Sequence, residues 1–416
     1  MKVIFILVDA LKSLYLDNKN MPFLSKLSRG SYYVQKIVPS PGFCERSEIF
    51  TGLDTYESGN FCAIGYCPEK SEYQNNQLLL SLISSFACIN DKYARYALNK
   101  WYDVSNVHMK PYRIPIKSLK NFALTEDGDT HYISYNDIYK SLEDSKKTYT
   151  TKFFTTLAQK RRNRFNYDLV SEVKEEIFRK TDFIPIYLGE IDTVGHKFGD
   201  DISSIQPFLN RVDSIIEKLY KLAIEDGYGF VVLGDHGMVP VTKKVDVLQI
   251  VASSSLLQYK DYEIFIDSTM ARLWFYNSEA KVIAEKLLHN TLGSYGVLLS
   301  PDDYAAKRIP FDIINNHDFK PIYGELLWCA NTGVLISPDY FNPPWKQIRG
   351  MHGYLMNDSE HSFGQLIVPN YKENDVIDSL ELNEVCSILC DMLEIFKPNT
   401  NDYLKRRPTM ICKEFL

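Results

Sequence analysis

Three short segments of the chain set acids and imidazoles at spacings that suit a metal ion. Asp192-Thr-Val-Gly-His196 places a carboxylate and an imidazole four residues apart, one helical turn, so both side chains reach the same ion. Gly234-Asp-His-Gly-Met238 sets Asp235 beside His236 between glycines that let the backbone turn sharply. Gly350-Met-His-Gly-Tyr354 presents a third imidazole, His352, in a glycine-flanked turn, and Asp9 closes an apolar run near the start of the chain. Carboxylate oxygen and neutral imidazole nitrogen are ligands for zinc and related divalent ions. Each segment alone reads equally well as a helix cap, a strand-end pair or a turn. Together and in this order they point to a metal centre. The remaining histidines (108, 131, 289, 317 and 361) lack such settings and are expected to be structural or on the surface.

Strands are needed to bring these groups together. Val3-Ile-Phe-Ile-Leu-Val8 is apolar throughout and rich in β-branched residues, the pattern of a strand buried on both faces in a parallel sheet. Phe183-Ile-Pro-Ile-Tyr-Leu188 and Gly229-Phe-Val-Val-Leu233 read the same way. Asn20 to Arg29 reads as a helix with an early proline, ending at Gly30, and Gln206 to Asp226 as a long amphipathic helix. Strands alternating with helices predict an α/β fold with a mainly parallel central sheet. Asp9, Asp192 and Asp235 each fall at or just past the carboxyl end of a predicted strand, the edge where ligands bind in open α/β sheets. Carboxylates gathered on one edge repel each other unless cations lie between them.

A small α+β cap is predicted over 255–345, from strand-like Tyr262–Ile266 and Ala271–Tyr276, helix-like Ser278–His289 and strand-like Tyr295–Leu299. The catalytic core then comprises 1–254 and 346–416. Residues 95–165 fit the alternation poorly and read as an insertion; within them, Lys160-Arg-Arg-Asn-Arg164 is expected to be a solvated helix face.

The 416 residues are 45% hydrophobic and 24% charged, ordinary globular values. A net charge of −6 argues against binding a nucleic-acid duplex, which calls for a basic face. No apolar run approaches a membrane span. Only Lys2 precedes the first apolar run and no cleavage region follows it, so a cytoplasmic protein with reduced thiols is the expectation for its eight cysteines.

The ligand order Asp9, Asp192-x-x-x-His196, Asp235-His236 and His352 resembles that of the alkaline phosphatase superfamily, and most closely its nucleotide pyrophosphatase/phosphodiesterase branch. Met21-Pro-Phe-Leu-Ser-Lys-Leu27, Thr51-Gly-Leu-Asp-Thr-Tyr-Glu-Ser-Gly59, Asp192 to Gly199, Lys307-Arg-Ile-Pro310 and Glu384 to Leu393 resemble further segments of that branch. The resemblance implies an alkaline-phosphatase-like core and hydrolysis of phosphate esters with two divalent ions. Zinc is the first expectation, with manganese or another divalent ion as the alternative. Asp192, His196 and His352 would hold one ion, and Asp9, Asp235 and His236 the other. The implied partner is a small phosphorylated substrate, a nucleotide among the candidates. A phosphomonoesterase, a phosphoryl-transfer enzyme or a metal-binding pseudoenzyme are the alternatives.

The resemblance breaks at the attacking group. Counting back from Thr51-Gly52 without a gap puts Gly42 where the family has a threonine or serine nucleophile, and glycine cannot attack phosphorus. A small loop shift would bring Cys44 to a helix N-terminus, where the dipole lowers a thiol's pKa. Cys44 is the expected catalytic residue on this count. Ser40 and metal-bound hydroxide are the alternatives; Ser47 falls inside the helix. The sulfatase branch is disfavoured, because Cys44-Glu-Arg46 is not cysteine-x-proline-x-arginine. Arg46 is expected to meet the substrate phosphate, with a salt bridge to Glu45 or Glu48 as its structural alternative.

Overall fold

The computed structural model describes residues 1–105, 107–125, 136–154, 168–310, 320–343, 345–355, 358–371 and 375–399. The basic run 160–164, His131 and His317 lie outside them. Two compact units divide the chain. Among the described residues, one gathers 1–58, 127–241 and 348–399; the other takes 59–126 and 242–347.

The first unit is built on a six-stranded sheet: β1 (Val3–Val8), β2 (Ser31–Val38), β3 (Phe183–Leu188), β4 (Gly229–Gly234), β5 (Gly364–Pro369) and β6 (Val376–Glu381), in the order β6-β2-β5-β4-β1-β3. β1 pairs in parallel with β3 and β4, and β6 with β2, while β5 alone runs antiparallel to its neighbours. This is the mainly parallel sheet expected of an alkaline-phosphatase-like core. The apolar run of β1 is buried from end to end because both its faces are covered. Val3, Phe5 and Leu7 pack on one side with Phe50 and Leu389; Ile4, Ile6 and Val8 pack on the other with Leu209 and Ile216. Each such aliphatic or aromatic side chain contributes about 1.5–3 kcal/mol on burial.

Helices α1 (Pro22–Ser28), α2 (Glu45–Thr51), α3 (Glu190–Phe198), α4 (Ile202–Glu225) and α5 (Val385–Leu393) flank the sheet. Helix α4 starts earlier than its periodicity suggests, because the Asp201 side chain accepts from the Ser204 amide and caps it ahead of Pro207. Met21, the N-cap of α1, makes no side-chain cap bond; Asp213 of α4 supplies one instead, accepting from the amides of Phe23 at 2.8 Å and Leu24 at 2.9 Å.

The second unit contains the predicted cap strands in a four-stranded antiparallel sheet of Gly296–Leu299, Leu326–Ala330, Met270–Phe275 and Tyr262–Ile266. It also takes in the long helix Gln77–Val104 and the paired strands Ile64–Tyr66 and Phe122–Leu124. Its core holds a fully buried Arg272, 2.7 Å from Asp267 and 4.6 Å from the Phe265 ring centroid. No helix among the described residues is long and apolar enough to cross a membrane.

Candidate metal centre

The register of the central sheet gathers the acids. Val8 lies opposite Leu188, and Leu7 opposite Leu233, so β1, β3 and β4 end at one level. Asp9 follows β1, its amide bonded to the Leu188 carbonyl, and Asp235 and His236 follow β4. Asp192 and His196 sit one turn apart on α3, which starts directly after β3. His352 comes from the loop after Gly350-Met351, a strand paired with Val239-Pro240. That pairing ties the third imidazole to the segment carrying the second.

His196 Nε2 lies 3.2 Å from Asp192 Oδ1, and His352 Nε2 lies 3.7 Å from the same oxygen. His236 Nε2 lies 3.1 Å from Asp9 Oδ1. The rings of His236 and His352 stack with centroids 3.7 Å apart and planes 7° from parallel. Three groups each bring ligand atoms within 4.8 Å of one another: Asp192, His196 and His352; Asp9, Asp192 and His236; and Glu45, His236 and His352. Asp235 joins none of them. Its Oδ1 accepts from the amides of Ala10 at 3.3 Å and His236 at 3.0 Å, and stands 3.8 Å from His236 Nε2.

These residues fit divalent ions. Two ligands on one tetrahedral zinc, each about 2.1 Å from it, stand about 3.4 Å apart. The separations above, from 3.1 to 3.7 Å, fall around that value. Asp9 Oδ1, Asp192 Oδ1 and His352 Nδ1 are buried and make no hydrogen bond, a costly arrangement for protein alone. The outer contacts also suit a metal site. Nδ1 of His196 meets the Gly350 carbonyl at 2.8 Å, and Nδ1 of His236 meets the Gly237 carbonyl at 2.7 Å. A carbonyl can only accept, so each Nδ1 carries the proton and each Nε2 turns toward the carboxylates. Tyr187, from β3, donates its hydroxyl to Asp9 Oδ2 at 2.5 Å.

The electrostatics follow from burial and crowding. Burial opposes charge on Asp9, but the adjacent His236 imidazole and the hydrogen bond from Tyr187 more than offset it, holding Asp9 below the usual aspartate range. Asp235 is pushed up by burial and by its neighbours Asp9 and Glu45, despite the His236 charge. Burial lowers His236, yet Asp235 and Asp9 carry it well above an ordinary histidine. His352 is lowered by burial and by His236.

The loop expected to carry the attacking group runs into α2. Cys44 is the N-cap of α2, buried, and makes no side-chain cap bond; it belongs to none of the three ligand groups. Ser40 donates its hydroxyl to Glu48 at 2.8 Å, and Ser47 is buried within the helix. Arg46 lies over the Tyr187 ring, 4.5 Å from its centroid. Gly42 has φ of +106° and Gly353 +75°, conformations that L side chains rarely adopt. A Cβ on Gly353 would stand 2.4 Å from the Phe43 ring, so glycine there lets the His352 turn close on the Gly42-Phe43 loop. A cleft lined by Ser40, Gly42, Glu45, His236, His352 and Gly353 results.

Two residues at this site escape the sequence reading. Glu45 reads there as a partner for Arg46; its signal is an acid at the first helical position beyond the loop that lacks a hydroxyl. Tyr187 hides inside an apolar strand; its signal is a single hydroxyl one residue from the strand's carboxyl end. Among the other histidines, His108 pairs with Glu72 in an exposed contact, and His361 Nδ1 meets Lys12 Nζ at 2.8 Å.

A mainly parallel sheet with acids and imidazoles converging past its carboxyl edge defines an alkaline-phosphatase-like core. The family model described as type I phosphodiesterase / nucleotide pyrophosphatase matches residues 3–355, and the chain belongs to that family, within the alkaline phosphatase superfamily. It is 25% identical over 236 residues to a venom phosphodiesterase of Naja atra, covering 54% of this chain and 27% of that protein. It is 22% identical over 233 residues to ectonucleotide pyrophosphatase/phosphodiesterase family member 7 of Mus musculus, covering 53% of this chain and 48% of that protein. The matched stretch thus spans less than half the length of either relative. In fold it is similar to murine ectonucleotide pyrophosphatase/phosphodiesterase 5, solved as an inactive variant in complex with AMP. The TM-score is 0.64 at 13% identity, over 96% of this chain and 97% of that one. The human counterpart gives a TM-score of 0.65 at 12% identity, over 95% and 96%.

Proposed function

We propose that the chain hydrolyses phosphodiesters or pyrophosphates of the nucleotide type with two divalent ions, zinc first among them. Asp192, His196 and His352 hold one ion; Asp9, Asp235 and His236 hold the other. The observation that carries this reading is the group Asp192–His196–His352, three residues from two distant segments whose ligand atoms lie within 4.8 Å. When bound, such ions supply positive charge to the oxygens of a phosphoryl centre. The chain's own part is to hold the ligands still. Tyr187 fixes Asp9, and the Gly350 and Gly237 carbonyls fix the His196 and His236 tautomers. Arg46, oriented on the Tyr187 ring, is assigned to the substrate phosphate.

The complex of the murine relative with AMP makes a nucleoside monophosphate ester the first substrate class to test. A second reading, a metal-dependent binder of phosphorylated ligands without turnover, draws on Gly42 in place of the hydroxyl. Turnover of bis-p-nitrophenyl phosphate and p-nitrophenyl phosphate separates the readings. Diester cleavage that chelator abolishes and zinc restores is the expected result. Faster monoester cleavage would make the chain a phosphomonoesterase, and metal-loaded protein inert on both would leave the binder.

A further inference from the structure

Glu45 is the acid that the six expected ligands leave out. It opens α2, half-buried, and its Oε1 lies 3.7 Å from His352 Nδ1. That is too long for a hydrogen bond, and His352 Nδ1 makes none elsewhere. A structural ion pair would be expected to close to hydrogen-bond length; two groups poised around a cation stand further apart. Glu45, His236 and His352 present three ligand atoms within 4.8 Å, on the same cleft that Gly42 lines.

We propose that Glu45 is a metal-binding carboxylate of the ion held by Asp9, Asp235 and His236, and that it occupies the place of the side-chain hydroxyl absent at Gly42. The inference rests on the two-ion reading above. Gln in place of Glu45 keeps the shape and loses the charge.

The consequence is a reaction without a covalent intermediate. The water oxygen bonds to phosphorus as the bond from phosphorus to the leaving oxygen breaks. Water gives up one proton to solvent and the leaving oxygen takes one, so no bond to the protein forms and the configuration at phosphorus inverts.

Metal titration against a chromophoric chelator, with elemental analysis after dialysis, tests the assignment without relying on turnover. Wild-type protein should hold two zinc ions. Glu45→Gln should hold one tightly, the second weakened by about 100-fold or more, at or beyond the upper end of the loss when only an outer partner of a metal ligand is removed. Glu45→Asp, which keeps the charge on a shorter arm, should fall between them. Thermal denaturation of each chelated variant should match wild type, separating metal loss from misfolding.

Wild-type protein that binds no divalent ion would overturn the two-ion reading itself. Wild-type protein that binds two, with Glu45→Gln holding both as tightly, would overturn only the role of Glu45. Weakening confined to the ion of Asp192, His196 and His352 would also overturn it, making Glu45 a positioning residue for His352. Stereochemical analysis of a chiral phosphorothioate diester completes the test. Inversion is expected; retention, with Cys44→Ala inactive while both ions stay bound, would return the attack to Cys44.

Discussion

Replacing Tyr187 with phenylalanine removes one oxygen from the site and tests how firmly the chain positions Asp9. The hydroxyl donates to Asp9 Oδ2 at 2.5 Å, while Asp9 Oδ1 faces His236 Nε2 at 3.1 Å. Burial and the Asp9 charge push the Tyr187 hydroxyl far above the ordinary tyrosine value, so it remains a donor at any pH the protein tolerates. The ring itself stays useful without its oxygen. It packs in the core with Phe5 and Phe183, edges Phe154 at 6.2 Å between centroids, and carries Arg46. Tyr187→Phe is therefore expected to fold. A hydrogen bond to a charged group contributes about 1.5–3 kcal/mol. Outer partners of metal ligands contribute about 10–100-fold in affinity, or about 1.4–2.7 kcal/mol, so two independent routes converge. Chelator competition should show the ion held through Asp9 weakened by that factor while the ion of Asp192, His196 and His352 is unchanged. Equal affinity for both ions in wild type and variant would refute the claim that Tyr187 fixes Asp9. Equal weakening of both would refute the division of ligands between them.

His352→Ala should reduce metal content from two ions to one and cost turnover on the order of 10³-fold or more; elemental analysis with diester kinetics checks it. Arg46→Ala should raise KM for a diester more than it lowers kcat and leave metal content intact, and Arg46→Lys should not restore the wild-type value, since a point charge does not reproduce the guanidinium fork. Asp213→Asn should cost about 1 kcal/mol, because one of the two α1 amides loses its acceptor; urea denaturation measures it. Burial holds Asp213 above the ordinary aspartate value although the two amides pull it down. Its ionisation is therefore opposed in the folded protein, and its contribution to stability falls as pH rises from the unfolded value through the raised folded one. Asp213→Asn should remove that part of the slope, which sets in above about pH 4.

The buried strands were legible because both their faces are covered. Nothing polar interrupts Val3–Val8 or Phe183–Leu188, so composition alone marks them. β2 and β6 carry mixed patterns on a sheet that opens toward solvent at that end, and Ser31–Val38, with three polar residues in eight, gives no continuous run to detect. The second unit was half legible. The span 255–345 declared itself through alternating strands and a helix. Residues 59–126 join it through contacts such as the Tyr66 amide on the Ile322 carbonyl and the Arg272 guanidinium on the Ile64 carbonyl, both at 2.8 Å, which link segments too far apart in the chain for any periodicity to report.

The same distinction separates the proposed ligands from the attacking group. Asp9, Asp192 and Asp235 follow strand ends at or within a few residues, and once the sheet register is set their convergence is nearly fixed. His352 comes from farther away, but the strand Gly350-Met351 pairs with Val239-Pro240 and carries it in. The Gly42–Glu45 loop has no such constraint. Its path depends on two glycines at positive φ and on a ring packed against Gly353, and one residue more or less would turn a different side chain into the cleft. Sequence spacing alone therefore offered the thiol of Cys44 at the helix start. The fold instead turns the next residue, Glu45, toward His236 and His352, because the first helical position and not the cap projects into the cleft. A carboxylate there is a stronger metal ligand and a poorer attacking group than a hydroxyl, so that one-residue difference decides whether the phosphoryl group is ever bonded to the protein.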